Sequence, residues 1–392
     1  MVYSRNHARV FNLWYNFYMK KTISITLFAI LLIVIFLSYK SNKGDVIGNT
    51  IKIGAVYPLT GSRAYMGVEY KRGVEMAVEE INKKGGVNGK KIEVIYEDDA
   101  GDAAKAVTAV NKFIGVDKVD FVFTAFSPTA NATAPIAEKN KTIYFNASTV
   151  KIGNGNYVFK DYWDMGLQGQ AIAKAIKKEG MKKLGMLVMV HPATVAYMEN
   201  LNNELKGYNI ETYREDFIVG STDYKTQLAK IKSFNPDAIL VFSAPGNDST
   251  NIVKQIIDLK MDNLRLFGGS SALRTGTVSD QFPEVMAKMK TVDTWYNIDI
   301  TNNKAVEFKN NYEKKYNTKL IGDAAFPYDD VYLIAQVLSG LDKGANSIDI
   351  LNQLKTAKYD GVAGSMSFDE MNNSIRPAYL EVDKGGKWIK YE

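Results

Sequence analysis

Residues 51–99 read IKIGAVYPLTGSRAYMGVEYKRGVEMAVEEINKKGGVNGKKIEVIYEDD, and this stretch decides the fold class. The apolar run Ile51–Tyr57 predicts a strand, and apolar residues at helical spacing over Tyr65–Lys84 predict a helix that ends at Gly85. Ile92–Tyr96 predicts a second strand. A helix between two strands builds a parallel sheet, because the crossover returns the chain to the starting edge. The stretch therefore predicts an α/β fold.

The same alternation continues on the C-terminal side of this stretch. Residues 103–146 add two predicted helices and two predicted strands, and a second series of strands and helices runs from Leu184 to Gly268. Helices are predicted near 303–316 and 324–341, and strands near 365–368 and 379–382. Two similar series of βα units predict two Rossmann-like lobes, each with a parallel sheet.

Composition narrows the possible chemistry. The chain of 392 residues has no cysteine and two histidines, His7 and His191. The absence of cysteine excludes disulfides, thiolate metal sites and cysteine nucleophiles, and it also excludes a lipid anchor on cysteine. A His-based metal site or catalytic triad would depend on His191 alone. Gly85–Lys91 lacks the spacing of a phosphate-binding loop. We therefore expect no enzyme activity, no cofactor and no metal.

The N-terminal segment predicts export or membrane attachment. Residues 1–21 are basic, residues 22–39 form an uncharged apolar run of 18 residues, and residues 40–50 are a polar tether. The run is either an uncleaved transmembrane anchor or the core of a cleaved signal peptide. The natural protein begins at either Met1 or Met19. Basic residues before the run favour an inside N-terminus. We therefore expect the rest of the chain on the outer face of the cytoplasmic membrane or in the periplasm.

Several short motifs resemble the leucine/isoleucine/valine-binding family of ABC-transporter substrate-binding proteins. They occur in the family's order: PLTGS at 58–62, GVEMAVEEIN at 73–82, GGVNGKK at 85–91, Asp98-Asp99, STDY at 221–224, NPDA at 235–238 and Tyr328-Asp329. The resemblance covers nearly all of residues 50–392. It implies a type I periplasmic binding protein fold, with two α/β lobes joined by three crossing strands and a ligand cleft between them.

The resemblance also implies a domain division and partners. Lobe 1 would comprise residues 51–161 plus 299–377, and lobe 2 would comprise 162–298 plus 378–392. The protein would capture a small metabolite, such as a branched-chain amino acid, by cleft closure and deliver it to an ABC permease as a monomer. The alternatives are a ligand-sensing receptor module of the same fold, or a binder of a carboxylate, an amide or urea. Nucleic acid is not an expected partner, because the basic residues flank the apolar run.

Ser127 is the first candidate site residue. It follows a predicted strand and precedes Pro128, which predicts a helix start with Ser127 as the N-cap. Simple capping is one interpretation. The other, implied by the resemblance, is that Ser127 and the helix N–H groups bind a ligand carboxylate.

The other candidates depend on the resemblance. It implies that the Ala147 carbonyl accepts from a ligand ammonium and that Thr149 donates to the carboxylate, with Ser148 beside them. It also implies an aromatic side chain over the ligand; Tyr65 is near that place, although Met66 occupies the usual position. Trp163 and Tyr328 are expected to line the cleft or to pack in the core.

One position departs from the family. The resemblance implies a glutamate that pairs with the ligand ammonium, but Ser270 and Ser271 stand in its place. A buried ammonium without an acid is costly. Asp248 would then replace the glutamate, or the ligand lacks an ammonium.

Overall fold

The computed structural model describes residues 50–61, 63–148, 155–191, 193–243, 247–270, 272–274, 276–294, 302–320, 322–342, 345–376 and 378–392. The apolar run at 22–39 and its flanks lie outside the described residues, and so do Thr149 and Ser271. No helix in the described part of the chain is long and apolar enough to span a membrane.

The first sheet is entirely parallel, with strand order β2-β1-β3-β4-β5. Its strands are β1 Thr50–Tyr57, β2 Lys91–Asp98, β3 Phe121–Ala125, β4 Ile143–Ala147 and β5 Val158–Lys160. Helices α1 Ala64–Lys83, α2 Ala103–Lys112 and α3 Ser127–Lys139 connect them. Every residue of β3 and β4 is buried, as expected of central strands covered on both faces.

The second sheet has the order β15-β14-β10-β9-β8-β6-β7. Its strands are β6 Lys183–Met189, β7 Glu211–Phe217, β8 Ala238–Phe242, β9 Arg265–Gly268, β10 Val292–Thr294, β14 Leu380–Asp383 and β15 Trp388–Lys390. The helices between β5 and β10 are α4 Met165–Lys178, α5 Ala193–Gly207, α6 Lys225–Ser233, α7 Asn247–Asp258, α8 Gly276–Ser279 and α9 Pro283–Lys288.

The remaining elements complete the first lobe. They are α10 Asn303–Tyr316, α11 Ala325–Gly340, α12 Ser347–Thr356 and a small antiparallel sheet of β11 Tyr359–Gly361, β12 Gly364–Phe368 and β13 Ser374–Ile375. The chain passes between the two lobes three times, after β5, after β10 and after β13. This confirms the predicted type I fold with a three-segment hinge.

The structure differs from the sequence prediction in the second sheet and in several elements that were not predicted. The second sheet is mixed, because β14 and β15 add antiparallel strands to its edge, whereas a parallel sheet was predicted. Helix α4 was not predicted at all. It packs closely on α5, and a Cβ at Gly169 would lie 2.3 Å from the Tyr197 carbonyl oxygen. The glycines that weaken its helical pattern are thus required by packing between helices.

Candidate functional site

The carboxyl ends of the first-sheet strands meet at one edge. Tyr57 pairs with Asp98 across β1 and β2, and Ala125 pairs with Ala147 across β3 and β4. Ligands of open α/β sheets bind beyond such strand ends. We call the described loops at this edge, residues 58–61, 63–65, 98–102, 126–127 and 147–148, the first rim.

Asp98 holds the first loop of this rim in place. Its carboxylate accepts hydrogen bonds from the Leu59 N–H (2.8 Å), the Thr60 N–H (3.2 Å), the Thr60 hydroxyl (2.5 Å) and the Ala100 N–H (2.8 Å). Partial burial raises the pKa of Asp98, but the hydrogen bonds from Thr60, Ala100 and Leu59 outweigh it and lower the pKa overall. The ionised carboxylate therefore fixes the loop that leads to Arg63 and Tyr65.

Ser127 is part of helix α3 and does not cap it. The helix begins at Ser127, and the residue before it, Phe126, takes the N-cap position with φ 79° and no side-chain cap. The predicted capping role is therefore wrong, because the helix starts one residue closer to the N-terminus than expected and Phe126 takes the N-cap position. Ser127 is half-buried at the end of the rim. Its hydroxyl has no hydrogen-bond partner in the described part of the chain.

Ala147 and Ser148 form hydrogen bonds with the residues around Ser127 and within their own loop. The Ala147 carbonyl accepts a hydrogen bond from the Phe126 N–H at 3.0 Å, which brings the two loops together. The Ser148 hydroxyl donates to the Asn146 side-chain oxygen at 2.8 Å, and Ser148 is buried. The carbonyl of Ala147 keeps a second lone pair for a ligand, whereas Ser148 holds the loop.

Tyr65 lies in the first turn of α1 with 61% of its surface exposed. Burial of part of the ring raises the pKa of Tyr65; the nearby Asp323 raises it further, and Arg63 lowers it. The charges of Arg63 and Asp323 thus both act on Tyr65 at the first rim. Met66, which takes the family's aromatic position, packs partly buried against the core.

Trp163 and Tyr328 occupy different surroundings. Trp163 is 2% exposed in the first hinge segment, with its ring 4.9 Å from Phe326. Tyr328 donates to the Glu80 carboxylate at 2.7 Å, and its ring lies 4.5 Å from Phe308. Glu80 is about 24 Å along α1 from its start, taking the usual helical rise. Tyr328 therefore packs α11 against α1, away from the first rim.

Asp323 is an acid near the cleft that the sequence interpretation missed. It is 1% exposed, and it accepts a hydrogen bond from the Tyr162 hydroxyl at 2.9 Å. Tyr162 packs beside Trp163 on Phe326, with its ring 5.0 Å from the Phe326 ring. No periodicity or motif marks Asp323 in the sequence, since 161 residues separate it from Tyr162.

The hinge contains a buried ionic cluster. Arg376 makes two hydrogen bonds to the Asp161 carboxylate, at 2.8 and 2.6 Å, and one to Asp329 at 3.3 Å. All three side chains are at most 1% exposed. Burial raises the pKa of Asp329 to about 7, although Arg376 opposes the shift. Burial and then Asp161 raise the pKa of Asp330 beside them. The cluster ties the first hinge segment to the third.

The second lobe presents a corresponding edge. The strands β6, β8 and β9 end there in loops that carry His191, Ser243 and Ser270, and we call this edge the second rim. The Ser270 hydroxyl donates to the Ser243 carbonyl at 2.5 Å. His191 is exposed, and both its partial burial and the positive charge of Arg63 lower its pKa. Since the two residues belong to opposite rims, we expect this effect of Arg63 on His191 to act across the cleft.

Comparison with known proteins agrees with this geometry. Residues 50–387 match the periplasmic binding protein family. The chain belongs to that family. Its relatives include a Leu/Ile/Val-binding protein homologue of Brucella abortus, 27% identical over 361 residues, which cover 87% of this chain and 92% of the relative. The predicted resemblance to leucine/isoleucine/valine-binding proteins is confirmed.

Solved structures are similar to this binding protein over most of its length. A branched-chain amino acid transporter substrate-binding protein of Streptococcus pneumoniae, in complex with isoleucine, is 26% identical. The match covers 87% of this chain and all of that chain, with TM-score 0.70. A solute-binding protein of R. palustris in complex with benzoate is 20% identical over 87% of this chain and 95% of that chain, with TM-score 0.69.

The acid suggested as a replacement for the family glutamate is not available in this binding protein. Asp248 is 6% exposed and accepts hydrogen bonds from the Gly220 N–H at 3.1 Å and from the Tyr224 hydroxyl at 3.1 Å. These bonds hold the loop between β7 and α6 against α7. The described residues also contain no group of three acidic or histidine side chains arranged to hold a metal ion.

Proposed function

We propose that this binding protein captures a small carboxylate-bearing solute between its lobes and presents it to an ABC-transporter permease outside the cytoplasmic membrane. The observation that carries the proposal is the pairing of two loops on the first rim. Ser127 follows β3 and Ala147 ends the adjacent parallel strand β4, and the Phe126–Ala147 hydrogen bond holds the two positions together. A hydroxyl without a protein partner at a helix start suits a carboxylate.

Closure would proceed by rotation of the lobes about the three hinge segments. The Arg376–Asp161 contact holds two of these segments together, so the motion would leave the cluster intact and change the distance between the rims. The permease would then recognise the closed form. The chain's relatives are named for leucine, isoleucine and valine, and a structural neighbour holds benzoate. Both kinds of ligand carry a carboxylate.

The N-terminal segment fits the same role. An apolar run at 22–39 with basic residues before it would export the lobes, and it would hold them at the membrane if it is not cleaved. We propose that the protein works as a monomer and catalyses no reaction.

A ligand screen by thermal unfolding tests the proposal. The full chain in mild detergent would be heated with amino acids, their deaminated acids, the corresponding amides and urea. A ligand at 100 times its dissociation constant adds about 2.7 kcal/mol of stability, which raises the melting temperature measurably. We expect at least one carboxylate to raise it. A screen in which no solute raises it would contradict the proposed function.

A further inference from the structure

Arg63 brings a positive charge to the first rim. It is the residue directly before α1, at the end of the loop that Asp98 holds. Its guanidinium carbon lies 3.6 Å from the centroid of the Phe126 ring, which is a cation–π contact. Because Phe126 directly precedes Ser127, this contact holds the guanidinium in the same part of the rim as the Ser127 hydroxyl.

The acids near Arg63 accept hydrogen bonds from other donors, although one oxygen of the buried Asp99 has no partner in the described part of the chain. Asp98 holds the 58–60 loop, Asp99 accepts the Gly101 N–H at 2.8 Å, and Asp102 caps α2. In the part of the chain that the structure describes, Arg63 forms no ion pair. Its guanidinium therefore keeps its hydrogen-bond donors for a solute that enters the cleft, since the ring contact uses only one face.

Among the described loop residues that follow β6, β8 and β9 on the second rim, none is an acid. Its described residues include His191, whose pKa is lowered by burial and by Arg63, and the hydroxyl-bearing Ser243 and Ser270. Asp248, the nearest acid suggested by the sequence, is bound within the second lobe. Asp323 lies beneath the surface and accepts the Tyr162 hydroxyl. Arg63 thus presents a cation at the first rim, whereas the carboxylates of Asp98, Asp99 and Asp102 accept hydrogen bonds from the protein's own N–H and hydroxyl groups.

We propose that Arg63 pairs with the carboxylate of the solute, and that this solute is a carboxylic acid without an ammonium group. The inference rests on the proposed function, because it concerns the same cleft. A carboxylate would accept from the Arg63 fork and from the Ser127 hydroxyl together. An ammonium would find the Ala147 carbonyl as an acceptor but no carboxylate among the described rim loops that pairs with it, and it would approach the Arg63 guanidinium, so desolvating it there is unfavourable.

The test uses two matched sets of ligands with the full chain in mild detergent. One set is 4-methylpentanoate, leucine and 4-methylpentanamide, and the other is 3-phenylpropanoate, phenylalanine and 3-phenylpropanamide. Within each set the carbon skeleton is constant, so only the charges differ. Isothermal titration calorimetry would measure the affinities for the unaltered chain and for Arg63→Gln, Arg63→Lys and Arg214→Gln. Arg214 is a matched control, because it pairs with Asp216 on β7 at 2.6 Å, outside both rims.

We expect at least one of the two acids to bind tenfold or more tightly than its amino acid and its amide. Arg63→Gln should weaken binding of that acid tenfold or more, Arg63→Lys should restore part of the affinity, and Arg214→Gln should leave it unchanged. Equal affinity in Arg63→Gln, or tighter binding of leucine or phenylalanine than of the acids, would overturn the inference.

The outcomes also separate this inference from the proposed function. If neither acid binds but another solute in the wider thermal screen does, the role of Arg63 is wrong and the solute-binding function stands. If no solute in either experiment binds, both fail. The melting temperatures of the variants without ligand confirm that each one is folded.

Discussion

The two rims of the cleft use their polar groups differently. On the first rim, the Asp98 carboxylate accepts hydrogen bonds from the 58–60 loop. The Ser127 hydroxyl and the Arg63 guanidinium have no hydrogen-bond or ion-pair partner in the described part of the chain, so both can contact a ligand. On the second rim, the Ser270 hydroxyl donates to the Ser243 carbonyl. The Asp248 carboxylate accepts hydrogen bonds from the Gly220 N–H and the Tyr224 hydroxyl inside the lobe. If the proposed function holds, we expect the first lobe to recognise the charged part of the solute and the second lobe to close over the remainder.

The largest expected effect lies at the hinge, which both rims share. Arg376→Met should lower the free energy of unfolding by about 3–5 kcal/mol, because it leaves Asp161 and Asp329 buried without their cation. Urea denaturation followed by circular dichroism would measure the change. Arg214→Gln, which breaks an exposed pair, should cost no more than about 1 kcal/mol. Similar losses in both variants would contradict the role of the cluster.

Substitutions of Ser127 and Ser270 compare the contributions of the two rims to ligand affinity. Ser127→Ala should weaken ligand binding by about 1–3 kcal/mol, because it removes a hydrogen bond to a charged group. Ser270→Ala should change affinity little, since its hydroxyl already donates to Ser243. Titration calorimetry of both variants would measure this. A larger effect of Ser270→Ala would reverse the assignment of the rims.

Asp98 and Asp248 form a second matched pair, since each carboxylate accepts backbone and hydroxyl hydrogen bonds in a loop. Asp98→Asn should lower stability by about 1–2 kcal/mol and also weaken ligand binding, because the loop that carries Arg63 loses its anchor. Asp248→Asn should lower stability without a comparable loss of affinity. Unfolding and binding would be measured on both variants, and an equal loss of affinity would show that the second rim also recognises the solute.

The pH dependence of the Asp98 contribution has a defined sign. Its pKa is lowered in the folded state, so the stabilisation is present above the unfolded value of about 3.9 and is lost as the pH falls through the folded value. The difference in stability between the unaltered chain and Asp98→Asn should therefore shrink below about pH 4. A constant difference down to pH 3 would contradict this origin.

The smallest expected effect is a change in the pKa of His191. Burial lowers this pKa first and the charge of Arg63 lowers it further, so Arg63→Gln should raise it. The chain contains only His7 and His191, and an NMR titration can separate their imidazole signals with His191→Gln as the assignment variant. An unchanged pKa would show that the two rims lie too far apart for Arg63 and His191 to interact.

Much of the fold follows from local patterns in the chain. The strand–helix–strand spacing of 51–99 predicts the parallel first sheet, and the order of short motifs identifies the family. These signals are readable because each depends on residues close together in sequence. The short strands β5 and β10 and the helix α4 escaped prediction, because three-residue strands have no periodicity and the helix contains glycines that its neighbour requires.

The sequence by itself determined the class of protein and the candidate Ser127. Only the tertiary structure decided what surrounds that serine. The turn at Phe126 moves the helix start, Arg63 reaches the Phe126 ring across 63 residues, and Asp323 reaches Tyr162 across 161. The physical reason is that charge pairing and ring contacts depend on distance in space, and strand order in the sheets sets that distance. A local pattern fixes a strand or a helix, but the arrangement of all the strands determines which side chains meet in the cleft.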